Sequence, residues 1–423
     1  MSEQPSGEIA LRRVSAGLRQ WFLRPPRKHG EVEYHREVSF LELFYDLVYV
    51  VAIGQAAHHL AEHVDWEGVR DFAIVFGLIW FAWFNGTVWH ELHGREDGRS
   101  RNNIFAQMGL IALLAVFTGD ATGDDGTAFA VVYAILFTWF TWQWFVVHHI
   151  DDDPRYRPTT TRYLVGMVAT VAAIVISSMV DDDGVRVGIW AAVVIAWVVG
   201  GLVLMTTDRT AGFGEGVTAS LVERFGLVTI IVLGEVVIGV VDGISDAEDR
   251  DAMTVAVGIV GLSIGMGIWW NYFDLLGRRV PGRRGGRLAD WMFVHLPLTG
   301  GIAAAGAAMV SLVEHAGDDR TPSPTAWLLG GSLAVALAGI ALATLALPDD
   351  EFPTGMTRHI LPTFATAIAV ILVVAALRPA PLVLTISYNA ILFLTWLWLF
   401  VVFLAHGGDP NPDPDHQQQE DHR

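Results

Sequence analysis

Long blocks of apolar residues alternate with short polar segments along the whole of this chain. Each block contains about 20 residues, the length that an α-helix needs to cross the hydrocarbon core of a bilayer. Because lipid cannot satisfy an unpaired backbone N–H or C=O group, we predict that every block is helical. Twelve membrane spans are predicted, with approximate boundaries at 39–60, 69–90, 103–122, 127–148, 162–180, 185–206, 218–242, 252–274, 289–313, 325–347, 356–377 and 381–405.

Segments of the first half of the chain recur, slightly altered, in the second half. Residues 47–55 (LVYVVAIGQ) reappear as residues 227–235 (LVTIIVLGE). Further along, residues 83–85 (WFN) have their counterpart in residues 269–271 (WWN). Matches that occur in the same order predict an internal duplication of the chain.

The predicted spans divide into six-helix repeats over residues 39–206 and 218–405. Since six is an even number, both repeats enter the bilayer from the same side, as the parallel repeats of some transporters do. The predicted fold class is therefore an all-α membrane protein, with about 12 transmembrane helices arranged as two parallel six-helix repeats. A basic segment precedes the repeats at 1–38, and an acidic tail predicted to be disordered follows at 407–423.

The distribution of charge predicts the orientation in the membrane. Arginine residues precede the first span and follow the second, fourth, sixth and eighth spans, whereas the alternate loops carry mainly aspartate and glutamate. Cytoplasmic loops of membrane proteins carry the excess of basic residues. We therefore predict a multi-pass protein of the cell membrane with both termini in the cytoplasm.

Composition narrows the class of protein and its expected partners. The chain has 423 residues, is 52% hydrophobic, contains no cysteine and has a formal net charge of −18. Its basic groups are arginines apart from Lys28, and they flank membrane spans, so no nucleic-acid partner is expected. The expected partners are the lipid bilayer and a small solute or ion; an oligomer is left open, and no cofactor or metal is expected. The acidic, lysine-poor composition favours a high-salt organism, and the arginine codon preference of a GC-rich genome is the alternative.

Two acids begin the first predicted span. Glu42 and Asp46 are four residues apart and therefore share one helix face. Ser39 is suited to cap the helix with Glu42 as its reciprocal partner, which is the structural explanation for Glu42. Asp46 lies deeper and is followed by apolar residues, so we favour a function in an ion or substrate pathway for it, since ionisable groups inside a bilayer are costly.

The seventh predicted span carries three ionisable residues, Glu223, Arg224 and Glu235. The first two either neutralise each other or contact neighbouring helices, and we hypothesise that Arg224 pairs with Asp46 or Glu42. Glu235 lies well inside an apolar helix, at the position equivalent to Gln55 of the first repeat. It is the strongest single candidate for proton or cation binding, with a hydrogen bond between helices as the structural alternative.

Further polar residues fall at a similar predicted depth in the neighbouring spans. They are Asn85, Asn271, Asp274 and His295. Taken one at a time, each amide is better explained by a hydrogen bond between helices. Their coincidence in depth in both halves predicts a ring of polar groups on the cytoplasmic side.

Two local patterns that resemble catalytic or metal sites are rejected. His59 and His63 are four residues apart, but two histidines at a helix end are weak evidence for a metal. Residues 261–265 (GLSIG) fit G-x-S-x-G, but they lie inside an apolar helix, whereas the nucleophile elbow requires a strand-to-helix turn. We therefore expect that the protein is not an enzyme.

With these residues in hand, the chain resembles the bacterial and archaeal low temperature requirement protein A family. The resemblance is carried by residues 40–50 (FLELFYDLVYV), 223–235 (ERFGLVTIIVLGE), 269–274 (WWNYFD) and 295–297 (HLP). It implies a polytopic membrane protein named for a growth phenotype in the cold, with no settled biochemical activity. A more distant likeness links residues 44–46 (FYD) to the Phe-Ser-Asp signature of the lysosomal potassium-channel family, but Gly226 stands where the second aspartate would recur.

Three functions are compatible with these features of the sequence. The first is transport of a cation or small solute, coupled to protons through Glu235 and Asp46. The second is a cation channel lined by the first and seventh predicted spans. The third is a membrane sensor without transport activity that supports homeostasis of the membrane.

Overall fold

The helices follow the apolar blocks of the sequence, with one addition near the amino terminus. The computed structural model describes residues 7–31, 36, 38–207, 219–247, 250–277, 279–282, 286–348 and 350–409. The helices among them are α1 (Gly7–Leu23), α2 (Phe40–Glu62), α3 (Trp66–His93), α4 (Gly98–Val116), α5 (Gly126–Ile150), α6 (Arg157–Ser177), α7 (Asp183–Thr207), α8 (Ala219–Asp246), α9 (Ala252–Leu275), α10 (Gly286–Glu314), α11 (Ser323–Thr344), α12 (Thr357–Leu377) and α13 (Pro381–Ala405).

Eleven of the described helices are long and apolar enough to cross a membrane. The third predicted span, expected at 103–122, differs from the prediction. The corresponding helix, α4, begins earlier, at Gly98, and ends at Val116. It is not among the eleven helices that are apolar enough to cross a membrane. Its first turn contains Arg99 and Arg101, whose charges make this helix less apolar than the others. The described chain is therefore an all-α, multi-pass membrane protein, with one fewer clearly apolar span than predicted.

Aspartate side chains in the connections between helices begin several of these helices. The Asp65 carboxylate accepts a hydrogen bond from an amide in the first turn of α3, and Asp97 and Asp251 do the same for α4 and α9, each at 2.8 Å. A carboxylate at this position satisfies an amide that has no partner inside the helix. The acidic residues between spans thus fix helix starts.

The chain forms two compact units, and α8 contributes to both. Unit 1 comprises the described residues within Met1–Ile231 and Arg283–Ala289. At its centre, α3 packs against α2, α5 and α7 and is buried along most of its length. The remaining contacts join α2 to α4, α4 to α5, α5 to α6, α6 to α7, and α1 to α4.

Unit 2 comprises the described residues within Val232–Gly282 and Asp290–Arg423. In it, α9 packs against α11 and α13, and α12 packs against α11 and α13. The backbone of α10 approaches two neighbours at glycines, because an added Cβ at Gly301 would lie 2.8 Å from a carbonyl oxygen of α11 and one at Gly306 would lie 2.6 Å from the backbone of Glu235 in α8. Small residues at such positions allow membrane helices to pack closely.

Two predicted segments lie largely outside the described residues. They are the connection between the predicted repeats, at 207–217, of which all but the first residue is outside the described residues, and the acidic tail, of which 410–423 is outside them. The internal duplication and its boundaries at 39–206 and 218–405 stay predictions. In the basic segment 1–38, helix α1 is a finding that the sequence analysis did not anticipate.

The segment that follows α1 is attached to connections between the spans of unit 1. The His29 ring stacks on Tyr156 with ring centroids 4.9 Å apart and meets the edge of His93 at 4.5 Å. Its Nδ1 lies 2.6 Å from Asp151 Oδ2, in the connection between α5 and α6. His29 therefore fastens the amino-terminal segment to this connection, outside the membrane spans.

We expect the thermal stability of the purified protein to fall as the pH is lowered from about 7 to about 5. Burial lowers the pKa of His29 below its usual 6.5, although the hydrogen bond and charge of Asp151 act in the opposite direction. The unfolded chain then binds the proton more readily, so the contribution of His29 is complete above pH 6.5 and is lost as the pH falls towards the lowered folded-state pKa. Melting temperatures measured across this range report the loss.

The His29→Asn variant provides the control, since an Asn amide can donate to Asp151 but does not titrate. Burial raises the pKa of Asp151, but hydrogen bonds from the Asp153 backbone and from His29 outweigh it and lower this pKa below its usual 3.8. Asp151 therefore loses its contribution only below that value, outside the range tested. A pH dependence equally steep in the wild type and in the variant would contradict the assignment to His29.

Candidate functional site

The first turn of α2 contains an acid with two structural roles. Ser39 Oγ accepts a hydrogen bond from the Glu42 amide at 3.3 Å, and the Ser39 amide donates to Glu42 Oε2 at 3.0 Å. This is a capping box, which confirms the structural explanation offered by the sequence. Glu42 is nevertheless buried, and its Oε1 accepts a hydrogen bond from Arg36 and lies 3.7 Å from Arg224 Nη1.

Asp46 lies one turn further along α2 and forms an ion pair with an arginine of α8. Its Oδ1 accepts hydrogen bonds from Arg224 Nη2 at 2.6 Å and from Trp83 Nε1 at 2.8 Å. Neither side chain of the ion pair has any exposed surface. The hypothesis that Arg224 pairs with Asp46 or Glu42 is confirmed, with Asp46 as the nearer partner.

Aromatic side chains pack against this ion pair. The Arg224 guanidinium lies 5.6 Å from the centre of the Tyr45 ring, a cation–π contact. The Trp83 ring meets Phe225 edge-on at 5.0 Å. Tyr45 can lie here because α3 has a glycine opposite it: a Cβ added to Gly86 would be 1.8 Å from the Tyr45 hydroxyl oxygen. Because both side chains of the ion pair are buried away from water, the attraction between their charges is strong. Separating Arg224 from Asp46 therefore costs much free energy.

Arg36 connects the start of α2 with the end of α3. It donates hydrogen bonds to Glu42 Oε1 and to Glu91 Oε2, and its Nη1 lies 3.0 Å from Ser220 Oγ. The Ser220 hydroxyl in turn donates to Glu91 Oε2 at 2.7 Å. Three distant parts of unit 1 are thereby joined by side-chain hydrogen bonds, and we call the five side chains Arg36, Glu42, Asp46, Glu91 and Arg224 the charge cluster.

One oxygen of the charge cluster has a distinct environment. Asp46 Oδ2 is buried and accepts no hydrogen bond from any described residue. Both donors to this carboxylate, Arg224 and Trp83, converge on Oδ1. A buried carboxylate oxygen with open lone pairs is suited to receive a proton or to bind a cation.

The other candidate pathway residues of unit 1 make no contact with the charge cluster through their side chains in the hydrogen bonds described below. Asn85 is buried, where its side-chain amide donates to the Phe81 carbonyl at 2.8 Å and its Oδ1 accepts from the Tyr163 hydroxyl at 2.5 Å. Glu223 in α8 and Gln55 in α2 are exposed. Asn85 is thus a hydrogen-bonding residue between helices, which was its structural alternative.

Glu235, the strongest single candidate from the sequence, is buried in α8 within unit 2. It is 3% exposed, and its Oε1 has no hydrogen-bond partner among the described residues. The backbone of α10 passes close to it, because an added Cβ at Gly306 would lie 2.6 Å from the Glu235 carbonyl carbon. A carboxyl group is therefore enclosed inside an apolar span, as the sequence predicts.

The remaining candidates of unit 2 make separate contacts. The Asn271 side-chain amide donates to the carbonyls of Gly267 and Leu392, which joins α9 to α13. The exposed Asp274 accepts from Trp396 Nε1 at 2.6 Å, and the buried His295 Nε2 lies 3.0 Å from the Tyr272 hydroxyl. The contacts of Asn271 and His295 are those of residues that hold helices together.

Three members of the hydrogen-bonded network were not assigned to a site from the sequence. The sequence uses Arg36 only to predict the orientation, places Glu91 just beyond the second span at the depth of the predicted ring of polar groups, and gives no role to Ser220. Ser220 is 129 positions from Glu91 and 184 from Arg36, so local spacing cannot connect them. The sequence features that could have indicated this network are an acid at the end of the second predicted span, Glu91, and an arginine directly before the first, Arg36.

Within the part of the chain that the structure describes, no three His, Asp or Glu side chains are grouped so that they could hold a metal ion. The rings of His59 and His63 stack with centroids 4.5 Å apart at the end of α2. His63 Nδ1 lies 3.0 Å from the His59 carbonyl oxygen. This pair is an interaction within one helix end.

Comparison with known proteins identifies the family of this chain. Residues 37–405, which include the charge cluster except Arg36, match the sequence model of a family described as bacterial low temperature requirement A protein (LtrA). The chain is 23% identical to the uncharacterized protein RA0937 of Rhizobium meliloti (strain 1021) over 286 residues, or 63% of this chain and 67% of that protein. No solved structure matches the chain significantly. The chain belongs to the bacterial low temperature requirement A protein family.

Proposed function

We propose that this protein transports a cation or small solute across the cell membrane and that Asp46 couples this transport to protons. The family description names a requirement at low temperature and no substrate, so the proposal rests on the site. In keeping with the charge distribution of the loops, the proposal places the charge cluster on the cytoplasmic side.

The observation that carries the proposal is that Arg224 faces two buried acids at unequal distances. Its Nη2 lies 2.6 Å from Asp46 Oδ1, whereas its Nη1 lies 3.7 Å from Glu42 Oε1. A proton on Asp46 would remove the negative charge that holds the closer contact. Arg224 would then be attracted mainly by Glu42, and the ion pair would change partners within one site.

The arrangement of donors supports Asp46 as the group that receives the proton. Trp83 and Arg224 both donate to Oδ1, which leaves Oδ2 for the incoming proton. When Arg224 changes its partner from Asp46 to Glu42, the position of α8, which carries Arg224, would change. The contact between α2 and α3 at Gly86 would change with it. A two-state element of this kind is what coupling between proton binding and a change of conformation requires.

Glu235 supplies a second buried carboxyl for the same activity. It lies inside the span formed by α8, and one of its oxygens is buried without a hydrogen bond from the described residues. Intramembrane carboxyl groups are common members of proton and ion pathways in transporters. The proposal therefore assigns proton or cation binding to Glu235 as well.

The test is a flux measurement with the purified protein in liposomes. Vesicles with protein and vesicles without protein are compared under imposed proton, sodium and potassium gradients, with dyes inside that report each ion. We expect proton movement that requires the protein and follows the gradient. Single-channel currents in a planar bilayer would favour the channel alternative, and the absence of flux under every gradient with folded protein would contradict transport.

A further inference from the structure

Helix α1 carries apolar side chains that stay exposed in the described part of the structure. Its side chains are described from Arg12 onward, and all of them are exposed. The apolar ones have between 41% and 71% of their surface exposed: Val14, Leu18, Trp21, Phe22 and Leu23. Exposed tryptophan, phenylalanine and leucine on one short helix indicate a surface that is covered by an apolar partner.

The helix separates its apolar and basic side chains. Each residue of an α-helix is rotated by about 100° from the one before it, so Val14, Leu18 and Trp21 fall within one arc of about 100° together with Phe22. Arg12, Arg13 and Arg19 lie outside this arc, and Leu23, the last residue of the helix, lies on their side. This is the pattern of a helix that lies parallel to a membrane surface.

The carboxyl-terminal end of α1 lies beside the start of α4 and the end of α3 in unit 1. Trp21 and Phe22 lie against Gly98 at the start of α4, since an added Cβ there would be 2.4 Å and 2.8 Å from their rings. The Arg101 guanidinium lies 5.4 Å from the centre of the Trp21 ring. Because α3 is a membrane span that ends at His93, this contact places α1 at the level of a membrane boundary.

Backbone contacts hold the next segment at the same level. The Arg99 guanidinium donates to the Arg24 carbonyl at 3.2 Å, and the Arg95 guanidinium donates to the Pro25 carbonyl at 3.0 Å. The Arg27 amide donates to the His93 carbonyl at 3.0 Å. Three hydrogen bonds outside the apolar face therefore hold the segment after α1 beside the end of α3 and the start of α4. Trp21 and Phe22 add a contact from the edge of that face.

We propose that α1 is an interfacial helix that binds anionic lipid headgroups. Its apolar face inserts between the headgroups, and Arg12, Arg13 and Arg19 contact the lipid phosphates. Charge supports this partner: the whole chain has a net charge of −18, whereas the described side chains of α1 carry three arginines and no acid. An anionic lipid surface attracts this helix, although it repels the protein as a whole.

The absence of cysteine in the chain makes a direct test available in the full-length protein. Single-cysteine variants Leu18→Cys on the apolar face and Gln20→Cys on the opposite face are labelled with a fluorophore and reconstituted in vesicles. Vesicles of phosphatidylcholine alone are compared with vesicles that also contain phosphatidylglycerol. We expect lipids carrying a nitroxide to quench the label at Leu18 and aqueous iodide to quench the label at Gln20.

The contribution of charge is tested in the same labelled background. Reversal of the three arginines (Arg12→Glu, Arg13→Glu and Arg19→Glu) is expected to lower lipid quenching at Leu18 about fivefold in anionic vesicles. The control for a charge reversal elsewhere in the chain is Arg358→Glu, at an exposed arginine in the first turn of α12, which is expected to leave the quenching unchanged.

Two results would overturn the proposal. One is equal access of iodide to Leu18 and Gln20 in anionic vesicles, which would mean that the apolar face stays in water. The other is protection of Leu18 that depends on protein density and not on lipid charge, which would indicate a second copy of the chain as the partner. Neither outcome depends on transport, so the proposal fails or holds independently of the proposed function.

Discussion

The Arg224→Gln variant is expected to be less stable than the wild type by about 3 to 5 kcal/mol. The substitution leaves Asp46 without its ion-pair partner and removes the positive charge that faces Glu42, while both acids stay buried. A buried carboxylate without a counter-charge costs far more than an exposed one, because no water replaces the lost partner. Thermal unfolding in detergent, followed by size-exclusion chromatography after heating, measures the loss.

Two variants make this prediction specific to the ion pair. The double variant Asp46→Asn/Arg224→Gln removes both charges and is expected to recover much of the lost stability, since no lone charge remains at this pair. Glu223→Gln changes the neighbouring residue of the same helix, whose side chain is exposed, and is expected to have little effect. Wild-type stability of Arg224→Gln would show that the buried pair contributes nothing to the fold.

The Gly239→Ala variant is expected to destabilise unit 2 by about 3 kcal/mol. A Cβ at this position would lie 2.0 Å from the Gly306 carbonyl oxygen, so α8 and α10 would have to separate. The contacted atom belongs to the backbone and cannot rotate away, as a flexible side chain can. Melting temperatures and the yield of monodisperse protein measure the effect.

Gly234→Ala is the matched control on the same helix. A Cβ at Gly234 meets nothing within 4 Å, and alanine favours a helix over glycine by about 1 kcal/mol. We therefore expect this variant to be at least as stable as the wild type. Similar behaviour of the two variants would contradict the close approach of α8 and α10.

The sequence predicts the helices well because lipid imposes a simple rule on them. Apolar length identifies eleven of the twelve expected spans, and the exception, α4, begins with Arg99 and Arg101, whose charges mix with the apolar signal. Helix α1 escaped detection for a related reason: its apolar residues are spaced on one face between arginines, so it forms no apolar block.

The site was predicted in part. Asp46 and Arg224 were identified because charges are rare inside spans, and topology then suggested that they pair. The contributions of Glu91 and Ser220 could not be predicted, because they depend on tertiary contacts between distant positions. Gln55 and Asp274 lie at exposed positions, which shows that a polar residue in or near a span need not face the interior.

Proton flux into liposomes that contain the Asp46→Asn variant tests the role of the charge cluster most directly. The variant keeps the size of the side chain and its ability to accept hydrogen bonds from Trp83, but it cannot take up a proton. We predict flux at the level of protein-free vesicles for Asp46→Asn and flux at the wild-type level for Glu223→Gln, with both proteins monodisperse. Wild-type flux in Asp46→Asn would contradict the assignment of proton coupling to this site.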